Sequence, residues 1–108
     1  MSSNNPISLQ AKVRFLSVDE GGWPKPINDG MKPTFQIGKI STMCMIYNEA
    51  NEATMIAGGE YIIHIDLPFG EMYESDISDG MLVTLLVGSR VIAKGKVLKL
   101  TESKVSDE

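Results

Sequence analysis

Apolar and β-branched residues recur along the chain in short runs, alternating or continuous, and each run is closed by Gly, Pro, Asn or Asp. That pattern predicts strands separated by turns. Lys12–Val18 puts Val13 and Phe15 on one face and Lys12 and Arg14 on the other, and it stops at Asp19-Glu-Gly-Gly22. Trp23-Pro-Lys-Pro26 prolongs the loop, because proline donates no ladder hydrogen bond. Further strands are predicted at Pro33–Ile37 and at Ile40–Tyr47, the latter apolar on both sides, with Met43, Met45 and Cys44 as core residues. After a polar loop at Asn48–Ala53 and the Gly58-Gly59 break, Glu60–Leu67 alternates, with Tyr61, Ile63 and Ile65 facing the core. Met81–Val87 is a continuous apolar run, and Arg90–Leu100 alternates Val91, Ala93, Gly95 and Val97 against Ile92, Lys94, Lys96 and Leu98. Six short strands without a long helix predict a closed barrel or small sandwich, since closure removes exposed sheet edges. The expected organisation is a flexible N-terminus at residues 1–11, one β-barrel domain at 12–100 and a polar tail at 101–108.

Composition fits this picture: 108 residues, 43% hydrophobic and 22% charged, suit one soluble domain. No apolar run approaches the roughly 20 residues of a membrane helix, no secretory signal opens the chain, and Cys44 is the single cysteine, so a cytoplasmic location is expected. The net charge of −4 is unevenly spread. Residues 1–40 carry +2 (five basic against three acidic), residues 41–80 carry −8 (none against eight), and residues 81–108 carry +2 (five against three). An acidic middle between basic ends favours pairing of opposite segments and argues against a uniformly basic nucleic-acid surface, although Arg90, Lys94, Lys96 and Lys99 can form a local patch.

The order of the turn motifs resembles the carboxy-terminal barrel, the third domain, of bacterial elongation factor Tu. Val13–Gly22 is similar to that family's first strand and Glu-Gly-Gly turn, and Pro26 with Gly30-Met-Lys-Pro-Thr-Phe35 to its Gly-Tyr-Arg-Pro-Gln-Phe segment. Gly58 followed by Tyr61, Ile63 and Ile65 resembles its Pro-Gly-Asp turn and following strand, with Ala57 in the proline's place. Gly88-Ser-Arg-Val-Ile-Ala-Lys-Gly95 resembles its Gly-Gly-Arg-Thr-Val-Gly-Ala-Gly. The likeness spans about residues 12 to 100 and implies a six-stranded antiparallel β-barrel. In the family this barrel is a binding surface that contacts the T-arm backbone of aminoacyl-tRNA, the GTPase domain and the exchange factor. Of the tRNA-contacting loop, Gly88 and Arg90 match here, while Ser89 and Val91 replace a Gly and a Thr; Gly38-Lys39 stands for an Arg-Thr pair and Trp23 for an Arg. Pro68–Ser78 is longer than its counterpart and adds acidic residues.

No Gly-x-x-x-x-Gly-Lys-Ser/Thr motif is present, so no nucleotide is expected, and no cofactor or metal is implied. Glu71, Glu74, Asp76 and Asp79 lack calcium-loop spacing and read as a solvated acidic loop or a docking patch for a basic partner. Three functional readings follow. The first is a non-catalytic protein-interaction module for a translation-related partner or a neutralised toxin, with Trp23, Met31, Glu71, Met72, Tyr73, Glu74 and Asp76 as candidate contacts. The second is binding of the tRNA or RNA backbone through the Gly88–Arg90 loop with Lys32, Lys39 and Lys94. The third is an enzyme built on Cys44 or His64; both fall on predicted strands, where a small core residue and a half-exposed histidine are the ordinary roles. No membrane partner is expected.

Overall fold

Period-two alternation carries most of the chain into strands. The computed structural model describes residues 7–48, 54–68 and 76–101. These hold β1 (Ile7–Phe15), β2 (Ile27–Asn28), β3 (Thr34–Ile37), β4 (Ile40–Met43), β5 (Met45–Asn48), β6 (Thr54–Met55), β7 (Glu60–Leu67), β8 (Leu82–Val87) and β9 (Arg90–Thr101). A 3-10 turn at Val18–Glu20 lies between β1 and β2, and no helix among the described residues is long and apolar enough to cross a membrane. The protein is all-β, as the alternation predicts.

The sheet has seven strands in the order β4-β3-β8-β9-β1-β7-β5, and β2 and β6 form a separate two-stranded ribbon. Every pairing is antiparallel. The two edge strands, β4 and β5, are consecutive in the chain and separated only by Cys44, so the sheet curls into a half-barrel that brings its edges together. Hydrogen bonds from Cys44 N to Pro33 O (3.3 Å), from Ile46 N to Met31 O (3.0 Å) and from Gly30 N to Ile46 O (2.8 Å) carry the pairing past that joint. The inward faces meet in one core that includes Leu9, Val13, Phe15, Phe35, Ile46, Ile63, Ile65, Leu85 and Ile92. Phe15 meets Tyr61 edge to face at 5.9 Å, a geometry worth about 0.5–1.5 kcal/mol beyond the buried area.

The first strand starts earlier than the alternation suggested. Residues 7–11, expected to belong to a flexible terminus, lie in β1, with Leu9 and Ala11 fully buried. That segment carries the inward Leu9 and Ala11 on a strand paired on both sides, which its short polar residues conceal. The same strand ends at Phe15, before the expected Val18, because Ser17 caps the 3-10 turn. Thr101, expected in the tail, closes β9 opposite Ser8. The expected Ile40–Tyr47 strand is broken at Cys44, and Met43, expected in the core, is 49% exposed on the outer side of β4. A register shift between Leu85 and Leu86 moves Ile92, expected outside, into the core. The basic ends also pair with each other: β1 lies between β7 and β9, so charge complementarity does not select its second neighbour.

Two glycines show what the turns require. Gly38 and Gly88 each open a two-residue hairpin loop, between Ile37 and Ile40 and between Val87 and Arg90, with φ of 58° and 62°. Short hairpin loops favour this left-handed backbone, and glycine adopts it without strain.

Candidate functional site

The outer face of the sheet is built by the residues that alternate with the core. Cross-strand register arranges them in rows. One row reads Thr84, Lys94, Arg14 and Glu60 across β8, β9, β1 and β7; the next reads Leu82, Lys96, Lys12 and Ile62. Lys12 therefore stands directly opposite Lys96, and Arg14 directly opposite Lys94. Like charges so placed destabilise a sheet, and all these side chains are exposed. An open groove of about 640 Å³ lies over this square of cations, between Leu82 and Thr84 on one side and Glu60 on the other.

The groove lies over a close crossing of β1 and β9. A Cβ at Gly95 would fall 2.0 Å from the Lys12 carbonyl oxygen and 2.6 Å from Val13 Cα, so only glycine fits there. Leu82 is 76% exposed and Ile62 40%, and they place apolar surface at either end of the second row. Among the described residues two carboxylates reach the cluster. Glu20 accepts both Arg14 guanidinium donors, at 2.9 and 3.0 Å, and Glu60 lies 3.9 Å from Lys12. The Arg14 hydrogen bond, helped by the Ser17 backbone, holds the Glu20 carboxyl down at about 2, and Glu20 in turn raises Arg14.

The residues singled out in the sequence are distributed differently. Lys94 is in the groove, and the Gly38-Lys39 turn lies at the Leu82 end of β8. Gly88 and Arg90 are at the opposite end of β8, about 20 Å away by strand rise. Arg90 Nη1 donates to the carbonyls of Gly21 (3.2 Å) and Gly22 (3.1 Å), tying two turns together. Lys32 is exposed on the segment before β3. The candidate RNA contacts thus do not converge on one surface.

Trp23 and Met31 are partly buried and pack against the core, Met31 through a bridge to Ile46, so they do not form an exposed anchor pair. Trp23 does border a shallow depression of about 310 Å³ with Lys25 and the 60% exposed Ile56. Asp76 is exposed; Glu71, Met72, Tyr73 and Glu74 lie outside the described residues.

Cys44 is 1% exposed, its Sγ donating to Pro33 O at 3.3 Å, and burial followed by the Asp66 charge pushes the thiol up to about 12. It offers no thiolate near neutral pH. His64 is half-buried, aligned with Gln10 and Tyr47, and Asp66 accepts a 2.5 Å hydrogen bond from the buried Ser8 hydroxyl. Among the described residues no group of three or more His, Cys, Asp or Glu is placed to hold a metal ion.

Alternation places Lys12 and Arg14 on one strand and Lys94 and Lys96 on another, but does not show that the strands adjoin. The available signal was the matched alternation of cations at two basic ends; what it lacked was register. Comparison with protein-family models and with curated proteins gives no match for this chain.

Proposed function

We propose that the protein is a non-catalytic interaction module that docks a protein partner on the cationic groove formed by β1, β8 and β9. The observation that carries this reading is the directly opposed pairing of Lys12 with Lys96 and of Arg14 with Lys94. A neutral or opposite-charge residue at either position would serve the sheet better, so repulsion is tolerated where an anionic partner would relieve it. A groove floored by backbone and bordered by Leu82 suits a protein segment. The buried Cys44 thiol stays protonated near neutral pH, which weighs against an enzyme built on that residue.

A closed six-stranded barrel fits the same facts. Counted as one strand bent at Cys44, β4 and β5 join β1, β3, β7, β8 and β9 to give that number. This strand count supports the resemblance to the third domain of elongation factor Tu; by that fold analogy alone the partner proposed is translation-related, with a neutralised toxin as the alternative. The RNA-backbone reading through Gly88 and Arg90 is weaker, because the Arg90 guanidinium is engaged by the Gly21 and Gly22 carbonyls.

The test compares wild type with the Lys94→Glu, Lys96→Glu double variant as baits in ribonuclease-treated native lysate. A defined protein retained by wild type and lost by the variant is expected. Retention indifferent to the charge reversal, or recovery of RNA alone from untreated lysate, would overturn the reading.

A further inference from the structure

The cation square has a repeat distance as well as a charge. Lys12 and Arg14 are alternate residues of β1, as Lys96 and Lys94 are of β9, and alternate residues on a strand lie about 6.7 Å apart. Each cross-strand pair brackets one anionic position. The two positions then repeat at the spacing of residues i and i+2 in an extended peptide. Ile62 and Leu82 flank the Lys12–Lys96 row with exposed aliphatic surface. We propose that the groove takes an extended acidic segment of a partner protein with carboxylates at alternate residues. One carboxylate sits between Lys12 and Lys96, the next between Arg14 and Lys94, and the methylene stem of the first packs on Leu82. This rests on the protein-docking reading above.

A nucleic-acid strand is matched less well. Among the described residues no aromatic ring lines the groove to stack a base. Glu60 and Glu20 leave Lys94 and Lys96 as the cations of the square on which no described carboxylate closes to salt-bridge distance. Those two lysines should therefore contribute most to binding.

The experiment is fluorescence anisotropy with the full chain and four labelled probes. These are a peptide alternating Glu and Leu, one of the same composition with its Glu residues contiguous, the alternating peptide with Gln for Glu, and an oligouridylate. The alternating acidic peptide is expected to bind best. Its affinity should fall at least tenfold with Gln for Glu, and at least tenfold in Lys96→Glu and in Lys94→Glu. Leu82→Ser should weaken it severalfold. Each charge reversal converts a like-charge pair into an opposite one, so the same variants are expected to keep or raise Tm, by about 2–5 °C, which separates lost binding from lost folding. Equal binding of the contiguous and alternating peptides would overturn the extended-segment proposal and leave the docking reading standing. Preference for the oligouridylate, or binding of none of the probes, would overturn both.

Discussion

At Gly95 the backbone of β1 occupies the space a side chain would need, and this sets a mutational contrast. Gly95→Ala drives a methyl group against Lys12 O and Val13 Cα, where no flexible side chain can give way. Its cost is expected at or beyond the upper end of the ~1–3 kcal/mol typical of overpacking. Gly88→Ala meets open space and bears only the strain of its positive φ, about 1–2 kcal/mol. Urea unfolding of the two variants measures the difference; equal losses would show that β1 and β9 do not cross so closely. Cys44 makes a second residue-scale prediction. Its thiol should react with a disulfide reagent only as fast as the protein opens, and the denatured chain should react at once. Burial pushes the folded thiol up to about 12 from the ordinary 9.0, so Cys44 should have no effect on the pH dependence of stability below pH 9 and should lower stability above it as the unfolded state ionises first. Cys44→Ser should remove the part of that slope that begins near pH 9, leaving the part that the raised Tyr47 phenol contributes at higher pH.

Between β1 and the following turn, one carboxylate does two tasks. Glu20 closes a capping box with Ser17, accepting from its backbone N–H at 2.8 Å, and holds the Arg14 guanidinium at the end of β1. Its folded pKa, about 2, lies below the ordinary 4.5, so its contribution is complete above pH 4.5 and is lost as pH falls through 2. NMR titration of the Glu20 carboxyl should give a midpoint near 2 in wild type and a higher one, still held below the ordinary value by Ser17, in Arg14→Ala; an unchanged midpoint would refute the pairing. Acid unfolding of Glu20→Gln should be less steep over the same window. This turn also marks how far the sequence could be read. Alternation in Glu60–Leu67 and the punctuation at Gly38 and Gly88 are local, and they fix strand, face and hairpin. The break at Cys44 and the burial of Ile92 depend on tertiary curl and a bulge, so a run that is apolar on both faces does not reveal them. Half of the candidate site was visible as alternating lysines. The other half required knowing that β1 and β9 are neighbours, a long-range fact that no local window contains.

Across the whole molecule, β1 is the hub, joined on one side to β7 and on the other to β9, with Ser8 aligned to Thr101. Most pairings around it are therefore distant in sequence, and loop-closure entropy must be met before they form. Stopped-flow refolding is expected in the millisecond-to-second range of non-local β topologies, and a microsecond phase carrying the full amplitude would contradict this. The central position of β1 has a further consequence for a chain made from its N-terminus. Leu9, Val13 and Phe15 leave the ribosome before either neighbouring strand exists, and β9, the last strand described, supplies one whole flank. β1 has no partner until β7 is made and lacks its second flank until β9 has emerged, so its apolar face depends on the nascent chain staying shielded over that interval.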